Sequence, residues 1–577
     1  MLHSNIFHIP LDTYCYQYKD NLIINLYTGY DVNRVIIHIG DPFAYMNINN
    51  EQVWICESFE YESFKNFKYN KFWSIQIKPK CKRCRYFFEL HSKNHVEYLV
   101  EDGFLSPSDF EKYDGKIQLF SFPYINNNQY ASVLDWVNKT IWYQIFIDRF
   151  CDQSDNLKNF LECSNDDYLY GGNLNGIISK LDYLKSLGIN GIYLTPINAS
   201  NSNHKYDVID FYRVDDSLGN QELFKILVDE SHKRGIKVML EGVFNHVSIN
   251  FFAWKDVLIN GKNSKYFNWF CINQWPLNDK ANFIKGNYDT FGFMNSMPKL
   301  NTSEQEVIDY ISNICLFWIN EYNIDSIRMD VSDEISHECI RQVRKRIKNV
   351  KSDFFILGEN WHNAVSWLAG DELDSVTNYP LRKHIIDFWN DISISRNKLY
   401  CSINESYGIY KKQVTEVIFN VLDSHDTERI LTSMNDINKL YQVLTFLLTL
   451  TGSPCLYYGT EVLLKGNTSS TGRKVMPWKE IELGVYNESI DFIRNMIKLR
   501  KKYESLRKGD IRFKYLTDNE RVICYSKASV VINEEILIIL NCSTEEISID
   551  FNYDKVLYSR LCSNCCLQKG GILILKI

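Results

Sequence analysis

The stretch IKVMLEGVF at residues 236–244 decides how this chain folds. It is almost continuously apolar, as a strand must be when both of its faces are covered. Seven further segments have the same character: IWYQIFI (141–147), GIYLTP (191–196), IDSIRMDV (324–331), FFILGE (354–359), LDSVTNY (373–379), VIFNVLD (417–423) and SPCLYYGTE (453–461). The chain therefore contains eight candidate strands of a parallel sheet.

Helical patterns separate most of these strands. Apolar residues fall on one face of a first helix at Ile177, Leu181, Leu184 and Leu187, and a second helix ends near Gly235, where a C-terminal cap is expected. Eight alternating units predict a closed (β/α)8 TIM barrel, whose active site lies at the carboxyl ends of the strands.

Alternating patterns flank the barrel on both sides. They predict an N-terminal antiparallel β-sandwich over residues 1–125, from segments such as LIINLYTG (22–29) and VIIHIG (35–40). EILIILNC (535–542) and ILILKI (572–577) predict a C-terminal β-sandwich over 505–577. The barrel would occupy 126–504, with a small domain inserted after strand three at about 246–305, since that interval is too long for a plain loop.

Composition narrows the class of protein. The net charge of -7 over 577 residues gives no electrostatic reason to expect nucleic acid or an anionic membrane as a partner. No uncharged apolar run reaches the roughly 18–20 residues of a membrane span, and no signal peptide is visible. The 16 cysteines are then expected to be reduced thiols, which predicts a cytoplasmic protein.

Charged side chains gather at the predicted strand ends. Arg328 and Asp330 are two apart on one strand and so leave it on the same side, although an ordinary structural ion pair has the same spacing. The other strand ends supply Glu241, Asn245, His246, Glu359, His425 and Asp426. Because a barrel brings these ends to one mouth, the set predicts a catalytic site.

The residues around these positions resemble the α-amylase family of glycoside hydrolases, family 13. The similar segments are EGVFNH (241–246), IDSIRMDVSDE (324–334), ILGENWH (356–362) and LDSHDTER (422–429). SNHKYD (202–207), YGGNLNGI (170–177) and MPKLN (297–301) resemble in particular the neopullulanase, cyclomaltodextrinase and maltogenic amylase branch. The N-terminal domain, with GDPF (40–43), resembles that branch's starch-binding-type module.

The resemblance implies retaining hydrolysis of α-1,4-glucosidic bonds in cyclodextrins, maltooligosaccharides and pullulan, with some transglycosylation. Asp330 would be the nucleophile, Glu359 the general acid and base, and Asp426 the residue that binds ring hydroxyls. Arg328 should keep Asp330 ionised, and a less polar setting near Trp361 should keep Glu359 protonated. The implied substrate-binding residues are His204, Tyr206, His246, Arg328, Trp361, His425 and Arg473.

The resemblance also bears on partners and cofactors. It implies a homodimer through the N-terminal module and no cofactor for the chemistry itself. Some relatives bind calcium after strand one, and the matching oxygen ligands here would come from Asp152, Asp155, Asn156, Gly172 and Asn173. A loop held only by its own hydrogen bonds is the alternative.

Several positions depart from the family's pattern. Glu241 and Thr460 stand where Asp is usual, and Ser326 stands where Gly is usual. The segment before Arg473 lacks the acidic residue that normally accompanies this arginine on the donor side. Three alternatives to the leading hypothesis therefore stay open: a general α-amylase, a maltodextrin-binding protein that has lost turnover, and an enzyme whose main products come from transfer.

Overall fold

The computed structural model describes residues 1–93, 95–112, 117–122, 134–153, 168–277, 286–468, 471–529, 533–563 and 566–577. The chain divides into two compact units. One comprises Met1–Val133 with Ile394–Thr415, and the other comprises Leu134–Ser393 with Glu416–Ile577.

The first unit is an antiparallel sandwich around one apolar core. Its strands are β1 Cys15–Tyr18, β2 Asn21–Thr28, β3 Arg34–Gly40, β4 Tyr45–Ile48, β5 Glu51–Trp54, β6 Glu57–Glu60, β7 Phe64–Asn66, β8 Lys71–Ile77, β9 Cys84–Ser92, β10 His95–Val100, β11 Gly103–Leu105 and β12 Phe120–Phe122, with one helix, α1 Pro107–Lys112. One sheet has the order β1-β2-β8-β7 and the other β11-β10-β9-β3-β6. Alternate residues such as Leu22, Ile24, Ile37 and Phe88 point inward and form the shared core.

The second unit is built on the predicted barrel. The strands of this part are β13 Trp142–Ile145, β14 Gly191–Leu194, β15 Asn198–Ser200, β16 Val208–Val214, β17 Lys237–Gly242, β18 Ser326–Met329, β19 Phe355–Gly358, β20 Ser375–Val376, β21 Phe419–Val421 and β22 Ser453–Tyr457. Eight of them form a parallel sheet in the order β20-β19-β18-β17-β14-β13-β22-β21. A parallel bridge between Thr377 and Phe419 joins the two ends of that order, so the sheet closes. The prediction of an eight-stranded barrel is confirmed.

Helices alternate with these strands. The helices of the remaining chain are α2 Asp135–Asn138, α3 Ile147–Phe150, α4 Leu174–Leu187, α5 Gln221–Lys233, α6 Phe252–Asn260, α7 Gln305–Tyr322, α8 His337–Val350, α9 Tyr379–Asn390, α10 Arg396–Gly408, α11 Lys412–Thr415, α12 Ile430–Met434, α13 Ile437–Thr449, α14 Trp478–Glu482, α15 Asn487–Lys502 and α16 Glu504–Lys508. In α4 the predicted face is buried, the Asn173 side chain caps the first turn, and Gly188 ends the helix in the left-handed conformation at φ 98°.

Helices α10 and α11 belong to the first unit, although the sequence placed their residues within the barrel's range. The Asn404 side chain donates to the Asn66 carbonyl at 3.0 Å, and the Lys412 backbone N–H donates to the Tyr16 hydroxyl at 3.0 Å. Their local pattern predicts a helix, but it does not say which domain's apolar surface the helix covers.

The segment inserted between β17 and α7 folds around its own aromatic residues. Within its described part, antiparallel bridges join Phe270 to Leu300 and Ile272 to Tyr288. Trp254, Trp269 and Phe270 are buried there. The insertion is thus a small folded subdomain at the carboxyl end of strand β17.

The C-terminal region is an antiparallel β-domain. Its strands are β23 Asp510–Phe513, β24 Val522–Ser529, β25 Glu534–Asn541, β26 Ile547–Ser548, β27 Lys555–Ser563 and β28 Cys566–Lys576. Val522, Cys524, Leu537 and Leu573 contribute to its core. In the part of the chain that the structure describes, no helix is both long enough and apolar enough to cross a membrane.

Candidate active site

The acidic residues of the candidate site lie at the carboxyl ends of adjacent barrel strands. Glu241 on β17 is in register with Arg328 on β18. Asp330 and Glu359 follow β18 and β19, and their backbone N–H groups continue the strand ladders to Gly242 and Met329, each at 3.0 Å. The parallel sheet therefore fixes the backbone from which each of these side chains enters the barrel mouth.

Arg328 is the centre of this cluster. Its Nη2 lies 2.9 Å from Oε1 of Glu359, and its Nη1 lies 3.6 Å from Oδ1 of Asp330. The same Nη1 donates to Glu241, which also accepts from the Tyr193 hydroxyl. All four charged side chains are at least nine-tenths buried. One guanidinium thus serves three carboxylates that come from three different strands.

This sharing alters the protonation expected at Asp330. Burial, followed by the negative charges of Glu359 and Glu241, raises the pKa of Asp330 well above its usual value, and Arg328 only partly opposes that rise. The sequence had predicted that Arg328 would hold Asp330 ionised. In the free protein the net direction of the pKa shift is the opposite, because burial and the charges of the two glutamates outweigh the guanidinium, whose shorter contacts are with those glutamates. Burial also raises the pKa of Glu241, to about 7.

Three donors converge on Glu359. Besides Arg328, the backbone N–H of Val331 donates to its Oε2 at 3.1 Å, and Nε1 of Trp361 donates to its Oε1 at 3.2 Å. Trp361 was predicted to supply an apolar setting, but here it also supplies a hydrogen bond. Its indole is half exposed and stacks on Tyr379 with ring centroids 3.8 Å apart. A flat aromatic surface therefore reaches solvent directly beside Glu359.

Asp426 lies in a second group of side chains on the same mouth. Nε2 of His425 is 3.0 Å from its Oδ2, and Nη2 of Arg473 is 3.8 Å from its Oδ1. The Tyr206 hydroxyl lies 2.7 Å from Nε2 of His425, and the two rings stack. The charge of Asp426 acts on Asp330 and contributes to the raised pKa of Asp330, so the two groups form one site.

Gln144 on β13 is a site residue that the sequence reasoning missed. Its Nε2 amide can only donate, and it lies 2.8 Å from Nδ1 of His425. Nδ1 must then accept, which places the ring hydrogen of the neutral imidazole on Nε2, facing Asp426 and Tyr206. Burial lowers the pKa of His425 well below its usual value, consistent with this neutral form. The available signal was a single polar residue inside the apolar run IWYQIFI.

The predicted site includes two further histidines, of which His246 forms an antiparallel bridge with Lys299 of the inserted subdomain. Nδ1 of His204 accepts from the Tyr206 backbone N–H at 3.1 Å. His246 is buried and stacks on Phe291 with centroids 4.7 Å apart, and burial lowers its pKa to about 4. His204 acts electrostatically on His246, so the two rings are near one another.

The departures from the family's pattern lie inside the barrel. The Ser326 hydroxyl is buried and has no hydrogen-bond partner among the described residues. The Thr460 hydroxyl donates to Asp423 at 3.1 Å, so this position still contacts a buried carboxylate, now as a neutral donor. Arg473 donates to the His425 carbonyl at 3.1 Å and lies over the Phe146 ring at 5.0 Å.

The candidate calcium loop is only partly described, since Asp155 and Asn156 lie outside the described residues. Oδ1 of Asn173 accepts from the Gly176 backbone N–H at 3.0 Å, and its Nδ2 donates to the Gly171 carbonyl at 3.2 Å. Within the described ranges, no three His, Cys, Asp or Glu side chains are grouped as metal ligands. Asn173 is committed to capping α4 and does not fit a calcium ligand in this arrangement. Calcium binding stays a prediction, and no chemistry is derived through it.

Comparisons with known proteins agree with this architecture. Residues 144–495 match the family of the alpha amylase catalytic domain, and residues 1–126 match the alpha amylase N-terminal ig-like domain. The chain is 37% identical over 560 residues to a cyclomaltodextrinase of Geobacillus thermopakistaniensis, covering 95% of this chain and 92% of the relative. It is 35% identical over 571 residues to an intracellular maltogenic amylase of Bacillus subtilis, covering 96% of this chain and 94% of the relative. A solved cyclomaltodextrinase structure superposes with a TM-score of 0.87 at 31% identity, covering all of this chain and 98% of that one.

Proposed function

Since the chain belongs to the alpha-amylase family, we propose that it is a retaining glycoside hydrolase that opens cyclodextrins and cleaves α-1,4 bonds in maltooligosaccharides and pullulan. One observation carries the proposal: Asp330 and Glu359, which follow strands β18 and β19, lie beside the same guanidinium, and the charge of Asp426 in the loop after β21 acts on Asp330. The relatives named above are cyclomaltodextrinases and a maltogenic amylase, which supports this substrate class.

In the proposed reaction Asp330 attacks the anomeric carbon while Glu359 protonates the departing glycosidic oxygen. A covalent glycosyl-enzyme forms, and Glu359 then removes a proton from the water that hydrolyses it. The positive charge that develops on the sugar favours the ionised form of Asp330, which offsets the raised pKa of the free site.

The surrounding residues would bind the sugar. Asp426 would hold two ring hydroxyls, with His425 and His246 as further hydrogen-bond partners, and Tyr206 would stack on the ring being cleaved. His204 would line the same subsite, Arg473 would contact the donor side, and Trp361 would offer its exposed face to the acceptor. The half-exposed Trp361 beside Glu359 supports the acceptor role, because apolar sugar faces pack well on aromatic rings.

Assembly and location form a second part of the proposal. The chain would form a homodimer in which the N-terminal module of one copy narrows the partner's active site against large starch. The hairpin of β4 and β5 supports this, because Met46, Ile48 and Val53 are about half exposed on it and need an apolar cover. Cytoplasmic location is supported by the relative that is named an intracellular maltogenic amylase. Sedimentation measurements would test the dimer.

The test of function is turnover of β-cyclodextrin, soluble starch and pullulan at equal mass concentrations, with Asp330→Asn as the inactive control. The proposal expects β-cyclodextrin to be the fastest substrate. Faster turnover of starch would favour a general α-amylase. Binding of maltooligosaccharide without release of reducing ends would favour a binding protein. Adding glucose as an acceptor separates hydrolysis from transfer, since both share the covalent intermediate.

A further inference from the structure

The position of Glu241 in the barrel raises a question about proton balance. The inner cluster holds three carboxylates, Glu241, Asp330 and Glu359, against the single guanidinium of Arg328. If all three were ionised, the buried cluster would carry a net charge of about minus two, which is unfavourable away from water. The cluster must therefore retain protons, and the site that holds them decides whether Asp330 is ready to attack.

The guanidinium of Arg328 contacts Glu241 more closely than it contacts Asp330. Nη1 of Arg328 donates to Glu241 and lies 3.6 Å from Asp330, beyond hydrogen-bond distance. Glu241 also accepts from the Tyr193 hydroxyl, a second donor that favours its ionised form. With the same number of protons in the cluster, a negative charge is thus better placed on Glu241 than on Asp330.

The groups that face Glu241 come from every neighbouring element. They are Tyr193 on β14, Arg328 on β18, Asp330 after β18, Glu359 after β19, and Tyr206 in the loop before β16. Arg328 is the only permanently charged cation in this set. The distance of each carboxyl group from Arg328 therefore affects the order in which these acids ionise.

We propose that Glu241, held by Tyr193, competes with Asp330 for Arg328, and that this competition sets the lower pH limit of activity. Glu241 is a positioning residue in this account, because it acts through Arg328 and does not touch the sugar. The inference rests on the proposed hydrolase activity and deepens it: the carboxylate of Glu241 restricts the enzyme to pH values at which Asp330 ionises despite a second negative charge nearby.

The direction of the effect follows from the charges. Activity falls on the acid side when Asp330 takes up a proton. A nearby like charge favours the protonated form, so removal of the Glu241 charge should let Asp330 stay ionised at lower pH. An opposite charge within about 4–6 Å shifts such an equilibrium by roughly one to three pH units, and a like charge acts in the reverse direction. The acid limb of kcat/KM should therefore move to lower pH by about one unit in Glu241→Gln.

The experiment is the pH profile of kcat/KM on β-cyclodextrin for wild type, Glu241→Gln, Glu241→Asp and Tyr193→Phe. Glu241→Asp keeps the charge and should leave the acid limb within about 0.3 unit of wild type, even if the maximal rate changes. Tyr193→Phe removes a hydrogen bond that stabilises the ionised form of Glu241. It should move the acid limb in the same direction as Glu241→Gln does, but by a smaller amount. Glu461→Gln is the matched control, a buried glutamate that accepts from Tyr143 and Tyr183 and should not move the limb.

Three results would overturn the inference. In Glu241→Gln, the acid limb of kcat/KM could stay where it is in the wild type, or it could move to higher pH. Equal shifts of the limb in Glu241→Gln and Glu241→Asp would show that the shape of the side chain, and not its charge, is the cause. If Glu241→Gln does not fold, as judged by circular dichroism, the Tyr193→Phe profile decides alone. Absence of hydrolysis by the wild type would instead count against the proposed function, so the two failures are distinguishable.

Discussion

Gln144 offers a sharp test of how the site is organised. Its amide N–H fixes which nitrogen of His425 carries hydrogen, and that hydrogen faces Asp426 and Tyr206. Gln144→Leu removes the donor in a side chain of similar size. His425 can then place its hydrogen on Nδ1, which leaves a lone pair opposite the Asp426 carboxylate.

The size of the effect follows from burial. Gln144 is only 3% exposed, so the loss leaves a buried acceptor without a partner, at about 1–3 kcal/mol. If that energy is expressed in the transition state, kcat/KM falls by about 5- to 150-fold, mainly through kcat.

The assay compares initial rates on β-cyclodextrin with thermal unfolding of each variant. Gln442→Leu is the matched control, because Gln442 is equally buried and donates to the Asn541 carbonyl at 2.8 Å. Both variants should lose stability, and only Gln144→Leu should lose activity. A Gln144→Leu enzyme within twofold of wild type, or an equal loss in Gln442→Leu, would refute the reasoning.

Three further predictions concern separate parts of the second unit. Ser326→Ala removes a buried hydroxyl that has no partner among the described residues, so denaturant unfolding should show a gain of about 1 kcal/mol. Trp361→Ala removes the exposed platform beside Glu359, and the ratio of transfer to hydrolysis with added glucose should fall about fivefold. The pKa of Asp325 is lowered to about 2 in the fold, despite burial, by hydrogen bonds from His232, Lys237 and the backbone. This stabilisation is present above about pH 4 and is lost as the pH falls toward 2, so Asp325→Asn should unfold about 2 kcal/mol more easily at pH 7 and no more easily near pH 2.

The barrel was predictable because its strands are buried on both faces. Runs such as 236–244 and 354–359 are apolar over their whole length, and such runs have few alternatives to a covered parallel sheet. The charged residues at their ends stand out for the same reason. Closure of the sheet into a barrel brings these charged residues together, so their grouping can be predicted once the barrel is predicted.

The partner of each charged group was not predictable in this way. Whether Arg328 bonds to Asp330 or to Glu241 depends on differences of about an ångström between side chains of neighbouring strands, which periodicity does not encode. The role of Gln144 required knowing that β13 faces the loop after β21. Residues 394–415 likewise read as helix, yet their packing with the N-terminal sandwich depends on a surface that is hundreds of residues away in sequence.

The central claim is that Asp330 forms a covalent bond to the sugar while Glu359 handles the proton. The direct test is mass spectrometry of Glu359→Gln after incubation with α-maltosyl fluoride. Fluoride departs without an acid, and the missing base slows hydrolysis, so a maltosyl adduct should accumulate on the peptide that contains Asp330. An adduct on a different residue, or release of the inverted anomer without any adduct, would contradict the account.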